Sequence, residues 1–235
     1  LVSLVTLVWS ADKFVFGASS LARNFGISPM VIGLTIVAMG SSAPEMMIAA
    51  TASLDGNPNL AIGNAIGSNI ANIALVLGIT ALFQPLMVSS STVKREIPLI
   101  LFITALAYWM LSDSYFGFNE GLSLMIGFFV YIIALLLITL RATKNTAVDD
   151  PLIIEAEQEV PEAVSKPISI LWLVVGMILL PMSAVHLVDS SVFIAKAFGI
   201  SDLVIGLTVV AIGTSLPELA ASIMSIIKKE DDLAL

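Results

Sequence analysis

The sequence predicts an all-α polytopic membrane protein made of two inverted-topology repeats of five transmembrane helices, the second repeat incomplete in this chain. Three observations lead there. The 235 residues are 58% hydrophobic and 12% charged, with mean hydropathy +1.02, and several apolar runs exceed the roughly 18 residues that mark a bilayer span. A soluble helical bundle has no use for so much apolar surface. The segment GISPMVIGLTIVAMGSSAPE, residues 26–45, returns as GISDLVIGLTVVAIGTSLPE at 199–218, with 14 of 20 positions identical at a constant offset of 173. Five spans separate equivalent points of the two copies, and an odd number inverts the second copy across the membrane.

The spans are read at about 1–22, 29–54, 60–83, 97–112, 121–140, 168–189 and 203–227. The chain opens on LVSLVTLVWSA with no basic n-region, so the start reads as part of a first span rather than a cleaved leader. Turn signals separate the spans, such as DGNPN at 55–59 and SSST before Lys94. The long gap at 141–167 holds Asp149, Asp150, Glu155, Glu157, Glu159 and Glu162 with three prolines, and is expected to be a solvated acidic linker. The domain reading is therefore 1–140 as the first repeat, 141–167 as a cytoplasmic linker, and 168–235 as the start of the second repeat. The offset carries Gly63 to 236, past Leu235, so only two spans of the second repeat are expected here.

Orientation comes from the basic residues. With the N-terminus outside, Arg23, Lys94, Arg95, Arg141, Lys144, Lys166, Lys228 and Lys229 fall on the cytoplasmic side and only Lys196 falls opposite, Lys13 lying within the first span. A multi-pass protein of a bacterial-type inner membrane is expected, with no nucleic-acid partner and no obligate protein partner evident.

The chemistry concentrates in Gly40-Ser41-Ser42-Ala43-Pro44-Glu45 and its copy Gly213-Thr214-Ser215-Leu216-Pro217-Glu218. Proline has no N–H and breaks the helical ladder. Inside a bilayer such a break survives only where protein or an ion satisfies the freed polar groups. The hydroxyls of Ser41, Ser42, Thr214 and Ser215 and the carboxylates of Glu45 and Glu218 are hard oxygen donors, suited to Na⁺ or Ca²⁺. An intramembrane Glu needs a counter-charge, and a bound cation is the simplest one. Asn64, Ser68 and Asn72 recur every four residues and share a helix face, beside a Gly63-x-x-x-Gly67 pair that admits a close helix; Asn69 lies off that face. With no cysteine and a single His186, thiolate and His-cluster metal sites are excluded. Asp12 with Lys13 reads as a local pair, and His186 and Asp189 as polar residues near the end of the sixth span.

The segments GSSAPE at 40–45, GNAIGSNIAN at 63–72 and GTSLPE at 213–218 resemble the repeats of the cation/Ca²⁺ exchanger superfamily, in its compact prokaryotic sodium/calcium exchanger form. The resemblance implies that Glu45 and Glu218 are central ligands shared by Ca²⁺ and Na⁺. It implies Ser41 and Thr214 as ligands one turn earlier, and Ser42 and Ser215 as neighbouring Na⁺-site residues. Ala38 and Ala211 would give backbone carbonyls, and Ser68 with Asn72 would line a cytoplasmic-side Na⁺ position. Its expected activity is secondary antiport of several Na⁺ against one Ca²⁺ by alternating access, without a cofactor and without enzymatic catalysis. H⁺/Ca²⁺ antiport is the alternative, a cation channel a more distant one, and an intramembrane enzyme lacks a nucleophile–base pair.

Overall fold

The computed structural model describes residues 1–83, 94, 97–113, 115–142 and 160–228. Every regular element among them is helical. In chain order these are α1 (Val2–Asn24), α2 (Pro29–Ile32), a π-helical turn (Gly33–Val37), α3 (Ala38–Ser41), α4 (Ala43–Leu54) and α5 (Pro58–Ala71). A second π-helical turn (Asn72–Leu77) leads into α6 (Gly78–Phe83), followed by α7 (Ile97–Met110), α8 (Phe118–Ala142) and α9 (Lys166–Phe198). α10 (Asp202–Ile205), a third π-helical turn (Gly206–Val210), α11 (Ala211–Thr214) and α12 (Leu216–Lys228) complete the order.

Among the described residues, five helical stretches are long and apolar enough to cross a bilayer, and the bent pair Gly33–Ser41 with Ala43–Leu54 makes a sixth if counted as one span. α7 has 14 residues, about 21 Å at 1.5 Å per residue, against a hydrocarbon core of about 30 Å. The expected seven spans thus all appear as helix, the fourth of them short. Large apolar side chains such as Phe102, Trp109, Met125 and Phe193 stand exposed, as lipid-facing surfaces require.

The chain divides into two compact units, 1–86 with 154–235, and 87–153. In the second unit, α8 opens on a local cap in which the Gly117 N–H donates to Glu120 Oε2 at 3.0 Å, and the Asp113 carboxylate accepts from the Tyr115 N–H at 2.9 Å.

The first unit carries the repeat. Its core is built where α1 packs along α9 and where α4, α5 and α9 meet, with Leu7, Ala11, Ile48, Leu60, Leu180, Ala184, Val188 and Ile205 buried. Close approach depends on Gly17 and Gly176, because a Cβ on Gly176 would fall 2.5 Å from the Phe14 backbone nitrogen. The offset of 173 runs further than the duplicated segment. α1 and the part of α9 at 175–197 both end on a left-handed glycine, Gly26 at φ 81° and Gly199 at φ 65°. The next N–H then reaches back to the last turn, Ile27 to the Ala22 carbonyl and Ile200 to that of Ala195, a Schellman closure. Thr35 and Thr208 each donate to the carbonyl four residues earlier, and each lies in an equivalent π-helical turn.

Two boundaries differ from expectation. The sixth span does not end near Asp189; α9 runs 33 residues from Lys166 to Phe198 around Pro181. Its residues 175–197 are the α1 equivalent, and His186 and Asp189 lie inside a continuous ladder. The expected linker also stops being a loop before 167. Its acidic residues up to Glu159 lie outside the described residues, but Val160 buries against Ala22 and Ile32. The Val164 N–H donates to Ser20 Oγ at 2.9 Å, and its carbonyl accepts from Asn24 Nδ2 at 2.7 Å. That docking seats the start of α9 on the end of α1.

Candidate cation site

Both copies break at the same point. Ser42 (φ −89°, ψ 8°) separates α3 from α4, and Ser215 (φ −87°, ψ 0°) separates α11 from α12. Each ladder restarts at once, with the Met46 N–H donating to the Ser42 carbonyl and the Leu219 N–H to that of Ser215. Pro44 and Pro217 stand in the first turn of the restarted helices, where an N–H has no intrahelical partner anyway. Glu45 and Glu218 stand in the same turns, where the helix dipole favours a carboxylate. Before each break the hydroxyl donates back into its own helix: Ser41 Oγ to the Ala38 carbonyl and Thr214 Oγ1 to the Ala211 carbonyl, both at 3.1 Å.

The breaks differ in depth. The first is a bend of 56°, and there a backbone N–H at the cap donates to the Gly40 carbonyl, so that carbonyl is not left free. In the second, the Ser215 N–H keeps the i−4 bond to the Ala211 carbonyl at 3.1 Å, and Asp202–Ala220 holds as one 19-residue span.

α5 joins the two copies. It packs on α4 and along α10, the third π-helical turn and α11. Glycine makes the crossing possible: a Cβ on Gly206 would sit 2.6 Å from the Leu60 carbonyl oxygen, and one on Gly67 would sit 2.6 Å from the Ala211 Cβ. The crossing buries Asn64 and Ser68. Asn64 Nδ2 donates to the Glu45 carbonyl, and the Ser68 and Thr214 hydroxyls lie together, each contact at 3.5 Å.

Of the residues expected at the site, Thr214, Ser215 and Ala211 are buried, as is Ser68, while Ala38, Ser41 and Ser42 are exposed. Asn72 ends α5 at an exposed position and Asn69 spends its amide on the Ala65 carbonyl in its own helix. Asn64 comes closer to the breaks than the choice of Ser68 and Asn72 implied. Its four-residue spacing from Ser68 was the available signal.

Among the described residues, five buried side-chain oxygens have no hydrogen-bond partner. Four of them belong to this place: Glu45 Oε2, Glu218 Oε2, Asn64 Oδ1 and Ser215 Oγ; the fifth is Ser19 Oγ. Unpartnered buried acceptors are costly, and the two carboxylates, the amide and the hydroxyl, on the two breaks and α5, are oxygens of the kind a hard cation takes. No group of three or more His, Cys, Asp or Glu gathers among the described residues, so neutral oxygens must complete any such shell.

The sodium/calcium exchanger protein family matches residues 1–138 and 168–235. CaxA of Alkalimonas amylolytica is 54% identical over the whole chain, which spans 72% of that protein. The sodium/calcium exchanger MaX1 of Methanosarcina acetivorans is 32% identical, with 95% of this chain and 72% of the relative covered. Among solved structures, the sodium-calcium exchanger NCX_Mj soaked with Na⁺ and Sr²⁺ superposes with a TM-score of 0.54 at 34% identity, covering 99% of this chain and 73% of the other.

Proposed function

The chain belongs to the sodium/calcium exchanger protein family, and from that premise we propose that it carries the ion-binding core of a secondary cation antiporter exchanging Na⁺ for Ca²⁺. The observation that supports this most is the set of four unpartnered buried oxygens on the two breaks and α5. Glu45 and Glu218 together supply two negative charges, which balance one Ca²⁺ or two Na⁺. Ca²⁺ takes six to eight oxygens, more than the carboxylates offer, so the hydroxyls of Ser41, Ser42, Thr214 and Ser215, the carbonyls of Ala38 and Ala211, and Ser68 with Asn72 are the candidate donors that complete the shells. Asn64 joins them. Ca²⁺ and Na⁺ draw on the same two carboxylates, so loading one expels the other, and that competition is the physical basis of exchange.

Inverted repeats put the site near the middle of the membrane and give each half a route to one face. The positive-inside count puts the N-terminus outside, and the acidic stretch at 141–167 on the cytoplasmic side. The test is ⁴⁵Ca²⁺ uptake by the full-length protein in proteoliposomes under imposed Na⁺, K⁺ or H⁺ gradients. Uptake driven by outward Na⁺ supports Na⁺/Ca²⁺ exchange, uptake driven by the H⁺ gradient alone supports H⁺/Ca²⁺ antiport, and flux that never saturates points to a channel.

A further inference from the structure

Asp12 lies at the middle of α1, and two cavities meet on it. One, of about 300 Å³, is lined by Asp12, Gly40, Ser41, Pro44, Pro217 and Glu218 among others, so it runs from α1 to both breaks. The other, of about 580 Å³, opens past Leu4, Trp9, Asp12, Gly213 and Pro217. Asp12 and Glu218 are the ionisable residues on the first cavity, and the Asp12 side chain is 66% exposed. Ionisable groups at mid-membrane depth face water-filled space or a partner. Lys13 is that partner: its Nζ bonds Asp12 Oδ2 at 2.8 Å while resting 5.5 Å from the Trp172 ring and 5.9 Å from that of Phe16. Adjacent residues on a helix do not face each other, so this pair is not a spacing that helices use for stability. The lysine reaches sideways, tethered on aromatic faces, to a carboxylate that points into the cavity. Under the offset of 173, Lys13 corresponds to His186 but Asp12 corresponds to Val185. The acid therefore exists on one side of the pseudo-symmetric pair.

We propose that Asp12 hands cations over between the α1-side cavity and the Glu218 end of the site, with Lys13 as the tethered counter-charge that occupies Asp12 between passages. This rests on the antiport reading above. A cation arriving at Asp12 displaces the Lys13 ammonium, which stays over Trp172, and then moves along the cavity to Glu218, whose Oε2 has no protein partner.

The test uses the full-length protein in proteoliposomes. Asp12→Asn is expected to raise the half-saturating Ca²⁺ concentration about ten-fold, the scale of charge focusing in a cleft, with maximal rate nearly unchanged and Asp12→Glu restoring wild-type behaviour. Lys13→Met is expected to lower the half-saturating concentration. A residue that only balances its neighbour predicts otherwise: both single changes then harm stability alike and neither separates half-saturation from maximal rate, and that result overturns the proposal. These 235 residues contain no cysteine, so Asp12→Cys, with any cysteine elsewhere replaced by Ser, gives a second readout that does not need transport. A membrane-impermeant thiol reagent is expected to modify it, and Ca²⁺ to slow that modification; labelling indifferent to Ca²⁺, or none, overturns the handover route. Wild-type vesicles that show no Na⁺-driven Ca²⁺ uptake reject the antiport reading instead, whereas normal wild-type flux with an unaltered Asp12→Asn rejects the handover alone.

Discussion

The two copies of one motif sit in different surroundings. Ala38, Ser41 and Ser42 of the first are exposed, while their equivalents Ala211, Thr214 and Ser215 are buried, the last to 0%. Their local chemistry is the same, down to matching 3.1 Å hydroxyl bonds to the carbonyl three residues back. The difference comes from α5, which lies across the second copy, slots Gly63 and Gly67 against Gly206 and Leu207, and brings Ser68 to Thr214. The same offset carries α5 to 231–244, and the described residues of the second copy end at 228. The hydroxyl bond before each break thus follows from its own sequence, but the burial of Thr214 and Ser215 comes with the helix laid over them. The two breaks differ in depth: the first bends by 56°, and the second retains its i−4 bond at Ser215.

The largest expected effect asks whether that difference reaches function. Glu45→Gln and Glu218→Gln are each expected to abolish Ca²⁺ transport by the full-length protein, a loss of 100-fold or more on the scale of removing about 3 kcal/mol of charge-assisted binding. Size-exclusion profiles in detergent should stay normal, because glutamine keeps the shape of the site. If one variant transports at near wild-type rate, the two copies are not equivalent partners and the shared-ligand scheme fails. If both lose transport equally, surroundings and role are separate properties.

The next prediction attacks the crossing. Gly206→Ala and Gly67→Ala each push a methyl group into backbone or Cβ atoms that cannot swing aside, so each is expected to destabilise by about 1–3 kcal/mol. Gly213→Ala meets the end of the flexible Leu4 side chain instead and should cost less. Thermal unfolding in detergent ranks the three. Equal costs would mean that α5 does not clamp the second copy.

What could be read without coordinates divides along the same line. The offset of 173, the Ser-x-Pro-Glu breaks and the apolar spans are properties of local sequence, and each appears as helix where expected, except that the sixth span runs on to Phe198. Burial is not local. Nothing in Ser41 and Thr214, both hydroxyl residues before the same break, announces that one is exposed and the other dry. The polar face of α5 was legible as a four-residue spacing, yet its last member, Asn72, falls at the start of a π-helical turn and ends exposed. The extent of α9 was hidden for a different reason. His186 and Asp189 look like a membrane boundary, and the repeat offset extended through α1 is what shows that the helix continues to Phe198. The docking of Val160 and Val164 on α1 depends on long-range partners such as Ser20 and Asn24, which no periodicity reveals.

The smallest expected effect lies where the two copies begin. The sequences GISPM and GISDL differ at the first helical residue. The first copy has Pro29 there, whose fixed φ suits a helix start and which has no N–H to satisfy. The second has Asp202, and Ser201 accepts the Val204 N–H on its side-chain oxygen at 3.3 Å. One copy starts by backbone preorganisation and the other by a cap. Ser201→Ala should therefore cost about 1 kcal/mol and Ser28→Ala only a fraction of that, read as the difference between two melting curves under one condition. The bond at Ser201 is long and the site is exposed, so the cost belongs at the lower end of the capping range. If Ser28→Ala proves as costly as Ser201→Ala, proline does not replace the cap in the first copy, and the two helix starts are equivalent after all.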